Sequence, residues 1–190
     1  VKHRVKNNLQ STIGILDFQI EQFYNGKSIE DITLSTQNRL KSIAVLHDKL
    51  LNKNHIVNQD IKKYFHEIIE LNIQSNTNTK KMNDVNLLCN VSNLDMDKLM
   101  YLGIITSELM TNSFKYAFEK IEKPEITIEI TQTGNNVLFI YADNGKGFDV
   151  HKTKKGTGMT IIEGLVSQMQ GAYKIHADNN GTKININFKS

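Results

Sequence analysis

The stretch Ser107-Glu108-Leu109-Met110-Thr111-Asn112-Ser113-Phe114-Lys115-Tyr116-Ala117-Phe118 has a helical pattern, and two glycine clusters follow it. The first is Asp143-Asn144-Gly145-Lys146-Gly147-Phe148, the second Lys155-Gly156-Thr157-Gly158-Met159. Each alone is a weak signal. Their order and spacing together look like a nucleotide site that uses Mg²⁺. Positions four and seven apart share a helical face, so Glu108, Asn112 and Lys115 align while Leu109, Phe114 and Ala117 are left to pack. Asn112 has an oxygen for Mg²⁺, Lys115 a charge for phosphate, and Glu108 an acceptor for a metal-bound or attacking water. A solvated helix face with one Glu–Lys near-pair would give the same pattern. Asp143 ends a hydrophobic strand, where its carboxylate can accept from an exocyclic amine such as that of adenine; a strand-end Asn-Gly turn is the plainer alternative. Gly145 and Gly147 let backbone approach a flat ligand. Gly156-Thr157-Gly158 opens a helix whose bare N–H groups suit a phosphate. No G-x-x-x-x-G-K-S/T loop occurs, and the strand–GxGxxG–helix–strand unit of a dinucleotide fold is absent.

The pattern changes character along the chain. Val5, Leu9, Ile13, Leu16, Ile20 and Phe23 recur at helical spacing and predict one long helix. Gly26 and Ser28 mark a turn. Ile29, Ile32, Leu40, Ile43, Ala44, His47, Leu50 and Leu51 then form a second stripe. Two helices joined by a short loop predict an antiparallel hairpin, and a second copy would complete a four-helix bundle. The competing arrangement packs the hairpin on its own chain. Asn52-Lys53-Asn54-His55 reads as a linker. Beyond it the spacing predicts helices over 61–73, 97–118 and 159–169. It predicts strands over 85–91, 126–131, 137–142, 173–177 and 183–188, the last two around Asn179-Asn180-Gly181. The fold class is therefore α+β: a helical hairpin, residues 1–54, then a sandwich of helices on a largely antiparallel sheet, residues 55–190.

Composition excludes rather than identifies. A net charge of +3 over 190 residues is too mild to argue for nucleic acid. The basic run His151-Lys152-Thr153-Lys154-Lys155 sits between the glycine clusters, where a phosphate partner would make sense of it. A single cysteine, Cys89, excludes an internal disulfide and a cysteine-based metal site, and fits a reducing, cytoplasmic compartment. No run of 18 or more apolar residues occurs, so no direct membrane contact is expected of this segment. The chain opens at Val1 directly on a motif. It reads as a piece of a longer protein, whose remainder could hold a sensor or a membrane anchor.

The order of a helix bearing Asn112, then D-x-G-x-G, G-x-G and a Gly181-Thr182 before the last strand resembles the ATP-binding fold of the GHKL superfamily, which includes gyrases, heat-shock chaperones and histidine kinases. The resemblance implies that Asp143 meets adenine with Thr182 in support, and that Asn112 holds Mg²⁺, with Glu108 acting on the ion indirectly. Gly145, Gly147, Gly156 and Gly158 would frame the nucleotide, with Lys115, Tyr116, Lys155, Thr157 and Met159 completing the ATP contacts and the 151–155 run as a lid. His3-Arg4-Val5-Lys6-Asn7-Asn8-Leu9-Gln10 resembles the phosphoacceptor box, H-R-x-K-N-N-L-Q, of one subgroup of sensor histidine kinases. Neutral imidazole is a competent nucleophile toward a phosphoryl group. The resemblance implies an autophosphorylating homodimer: His3 takes the γ-phosphoryl group of Mg-ATP and passes it to an aspartate of a response regulator. Asn7, one turn from His3, would orient a water that removes phosphate from that aspartate. Arg4 stands where many relatives carry an acidic residue, so the general base is unassigned. A phosphorelay module with an inert nucleotide domain, and an anti-sigma-type serine kinase of the same superfamily, are the rival readings.

Overall fold

The computed structural model describes residues 29–50, 58–75, 84–92, 94–150, 152–153 and 156–190. The expected first hairpin helix with His3 and Asn7, the expected linker at 52–55 and Lys155 lie outside the described residues. In chain order the elements are α1 (Ile29–Leu50), α2 (Asn58–Ser75), β1 (Asp84–Asn90) and α3 (Met96–Asn112), which runs on into a π-helical turn (Ser113–Ala117). Then come β2 (Glu125–Thr133), β3 (Asn136–Asp143), α4 (Thr157–Gln168), β4 (Ala172–Asp178) and β5 (Gly181–Lys189). The helices and strands expected beyond the linker are all present, with their ends moved by up to three residues.

The strands form one sheet in the order β1-β2-β3-β5-β4. β2, β3, β5 and β4 pair antiparallel, while β1 runs parallel to β2 because α3 carries the chain back between them. Alternation puts Ile126, Ile128 and Ile130 of β2, Val137, Phe139 and Tyr141 of β3, and Ile184, Ile186 and Phe188 of β5 on the buried face. Each such side chain contributes about 1.5–3 kcal/mol when withdrawn from water. Helices α2, α3 and α4 cover this face. Register matters at its edge: Asp143 at the end of β3 faces Ile126 on one side and Thr182 on the other.

α3 is buried along most of its length, and at Gly103 it meets α2. A Cβ there would lie 2.0 Å from the Tyr64 hydroxyl oxygen, so only glycine allows the approach. Cys89 on β1 is half-buried, and burial pushes its thiol up to about 11 against a smaller opposing effect of Lys62. It is a packing residue rather than a reactive one.

The placement of α1 departs from the sequence expectation. Its buried face is Asn38, Arg39, Ser42, Val45 and Leu46, packed on α2 and α3 of its own chain. Of the expected stripe, Leu40 is 39% exposed and Ala44 is exposed, while Ile43 is half-buried against the core. The physical reason is polar pairing. Ser42 Oγ lies 2.7 Å from Ser107 Oγ, Asn72 Nδ2 donates to Ser107 Oγ at 3.0 Å, and Arg39 pairs with Glu108. An interface joined by such groups leaves little trace in hydrophobic periodicity.

Candidate nucleotide-binding site

A cavity of about 510 Å³ opens between the end of α3, strands β3 and β5, and the start of α4. Such a volume suits a small organic ligand. Leu109, Met159, Ile175 and Ile184 give it apolar walls, and Asn112, Asp143, Thr157 and Thr182 give it polar points.

Asp143 is the best-held group in the cavity. Its Oδ2 accepts from Ser113 Oγ at 2.6 Å, and its Oδ1 accepts from the backbone N–H of Gly145 at 3.0 Å and of Thr182 at 3.2 Å. The β3–β5 register brings the Thr182 amide there. Ser113 has one proton, which goes to Asp143, so Tyr141 must donate its own to Ser113 Oγ, 2.9 Å away. Tyr141 can do this at any ordinary pH. Burial holds its phenol well above the usual range, the Ser113 bond opposes this, and nearby Asp143 adds to it. A carboxylate offers about four acceptor directions. Three are filled from the protein, which leaves one for a donor in the cavity.

Two glycines shape the floor. Gly147 has φ +57, and a Cβ on it would lie 1.8 Å from the Asp178 carbonyl oxygen. Gly181 has φ +132, and its Cβ would lie 1.9 Å from the Asp143 carbonyl oxygen. The loop after β3 and the β4–β5 turn therefore interlock through bare backbone. Gly145 is buried against Ala117, and Lys146 N donates to Ala117 O at 3.1 Å, which ties this loop to the π turn.

At the other side α4 begins at Gly156, which caps it without a side-chain hydrogen bond, so the positive end of the helix faces the cavity. A Cβ at Gly158 would lie 2.8 Å from Glu108 Oε2 and 3.6 Å from Asn112 Oδ1. The first turn of α4 thus sits directly on the α3 side chains. These are hard oxygen donors beside a phosphate-type helix end, which fits Mg²⁺, an ion that takes few protein ligands and completes its shell with phosphate oxygens and water. Among the described residues no group of three His, Cys, Asp or Glu is placed to hold a metal without such help.

The structure brings Asn112, Tyr116, Asp143, Gly147, Gly156, Thr157, Gly158, Met159 and Thr182 to this one cavity, with Gly145 directly behind Asp143. It does not bring Lys115 there. From Ser113 the helix widens into a π turn, so the three-residue step from Asn112 no longer keeps a face, and Tyr116 reaches the rim instead. Glu108 is buried, 4% exposed, and does not line the cavity; one of its oxygens is engaged by Arg39. Sequence reasoning missed Ser113 and Tyr141 as the support of Asp143, and also Phe148 and Val150 around the opening, where Thr153 of the expected lid also lies. Ser113→Ala should weaken nucleotide binding about 3- to 10-fold, since it removes a charge-assisted hydrogen bond and strands the Tyr141 hydroxyl. Titration calorimetry with ATP checks this, and unchanged affinity would contradict it.

A five-stranded sheet, a helix layer on one face and a cavity between Asp143 and a glycine-opened helix define an ATP-binding domain of the GHKL class. Two family models match the chain in tandem: "Histidine kinase" over residues 1–76 and "Histidine kinase-, DNA gyrase B-, and HSP90-like ATPase" over residues 98–190. The sensor histidine kinase PdtaS of Mycolicibacterium smegmatis is 26% identical over 186 residues, covering 93% of this chain and 36% of PdtaS. The serine-protein kinase RsbW of Bacillus licheniformis is 30% identical over only 73 residues, covering 38% of this chain and 46% of RsbW. The histidine kinase domain of the Erythrobacter litoralis EL346 blue-light activated histidine kinase superposes with a TM-score of 0.70 at 14% identity, covering 95% of each chain. The chain belongs to the sensor histidine kinase family. It spans about a third of the length of the sensor kinases it matches (36% and 34%). No described helix is long and apolar enough to cross a membrane.

Proposed function

We propose that this chain is the core of an ATP-dependent protein histidine kinase that phosphorylates His3 and passes the phosphoryl group to an aspartate of a response regulator. The observation that carries the reading is the Asp143 carboxylate, held by Ser113, Gly145 and Thr182 with one acceptor direction open, in a cavity that ends on the start of α4. The adenine amine donates to Asp143, and the ring lies among the apolar walls. The phosphates meet the amides of the Gly156–Gly158 turn. Asn112 and, indirectly, Glu108 would hold Mg²⁺, which would screen the phosphate charge. A neutral His3 nitrogen then bonds to the γ-phosphorus as the bond from that phosphorus to the β–γ bridging oxygen breaks. ADP leaves with the electron pair, and the imidazole proton is lost late.

The hairpin, residues 1–54, presents His3, and residues 55–190 hold the nucleotide. The exposed Leu40 and Ala44, one turn apart on α1, are free of the ATP domain and give the hairpin a face for a second copy. Light scattering of the chain at micromolar concentration should return a dimer mass; a monomer mass would remove this part of the reading. The kinase itself is tested by incubation with γ-labelled ATP. Phosphate that is lost in acid and stable in base identifies a phosphohistidine. The reverse pattern favours a serine kinase, and no label favours an inert nucleotide domain.

A further inference from the structure

One buried ion pair joins the hairpin to the edge of the cavity. The Arg39 side chain on α1 is 1% exposed and that of Glu108 on α3 is 5% exposed, and Arg39 Nε–H donates to Glu108 Oε1 at 2.5 Å. Burying two charges costs several kcal/mol for each ion, and their attraction often does no more than repay it. Apolar side chains of similar volume would hold α1 at least as well, beside Val45, Leu46 and the Ser42–Ser107 bond. Arg39 Nη1 also finds no hydrogen-bond partner among the described residues, so the guanidinium is an inefficient fastener. The pair does have a geometric effect. A planar guanidinium on Oε1 fixes the rotation of the carboxylate, and its other oxygen then faces the first turn of α4, with a Cβ at Gly158 only 2.8 Å away and the Asn112 amide alongside.

We propose that Arg39 is a positioning residue: from the phosphotransfer hairpin it holds Glu108 so that Oε2 points at the phosphate end of the nucleotide. This deepens the kinase reading and rests on it. Its consequence is that Glu108 is aligned only while α1 is docked, which couples the placement of the hairpin to turnover in the ATP domain.

The test compares wild type, Arg39→Ala and Arg39→Lys in rate of labelling at saturating Mg-ATP and in ATP affinity by calorimetry. Arg39→Ala should lose rate on the order of 10²-fold, the penalty of a misplaced group, with affinity unchanged within about twofold. Arg39→Lys keeps the stem and the charge but not the planar fork, and should recover only part of that loss. A readout independent of turnover is the Arg39 Nε–H resonance in a nitrogen–proton NMR spectrum, expected downfield and slow to exchange, and shifted by Glu108→Gln. Should Arg39→Ala fail to fold, Arg39→Lys decides. Labelling by Arg39→Lys at the wild-type rate would make the pair mere packing, and faster labelling would make docked α1 a lock; either overturns the proposal. A wild-type chain that takes no label defeats the kinase reading instead.

Discussion

Asp143→Asn is expected to lower ATP affinity about 10- to 100-fold while the sheet stays intact. The carboxylate accepts on both oxygens from the protein: Ser113 on one, Gly145 and Thr182 on the other. An amide can accept on only one side. With its nitrogen toward Gly145 and Thr182 it opposes two N–H groups. With its nitrogen toward Ser113 it forces that hydroxyl to turn, and presents a donor where the adenine amine must donate. A mispaired buried group costs about 1–3 kcal/mol, and each 1.4 kcal/mol is about tenfold in affinity. The β3 backbone should survive, since Asp143 is paired on both sides by the ladder to Ile126 and Thr182. Calorimetry with ATP, alongside circular dichroism to follow the fold, measures the effect. Equal affinity in the variant would remove Asp143 from adenine recognition.

The second large effect is at His3. His3→Gln should abolish labelling from ATP and leave nucleotide affinity nearly unchanged, because the described residues that line the cavity all come from Leu109 onward. Glutamine keeps a polar side chain of similar reach but offers no nucleophilic imidazole nitrogen. Label retained by the variant would move the acceptor to another histidine, with His47, His55 and His66 next in order.

Asp143 and its neighbouring glycines were legible in the sequence because their requirements are local. An acid at a strand end, followed by glycines that must lack a side chain, states much of its geometry within five residues. Gly147 and Gly181 show why, since each packs its bare Cα against a carbonyl on the other loop. Ser113 and Tyr141 were not legible. Their link to Asp143 joins residues 28 and 30 positions apart in the chain, and neither residue type advertises it. Lys115 was misplaced because a π turn looks like an α-helix in sequence but shifts the face by most of a residue. The buried side of α1 was missed for a different reason. Arg39 and Ser42 look like solvent residues until α3 supplies Glu108 and Ser107 opposite them. Polar packing of this kind depends on the partner, which periodicity within one helix cannot report.

ATP bound in the Asp143 cavity is expected to give its γ-phosphoryl group to His3. The most direct measurement is to incubate the wild-type chain with γ-labelled Mg-ATP, digest it at alkaline pH, and locate the label by tandem mass spectrometry. A phosphoramidate is expected on the peptide that carries His3, absent when Asp143→Asn is incubated at limiting ATP. Label on a serine or threonine, or on a histidine other than His3, would contradict it.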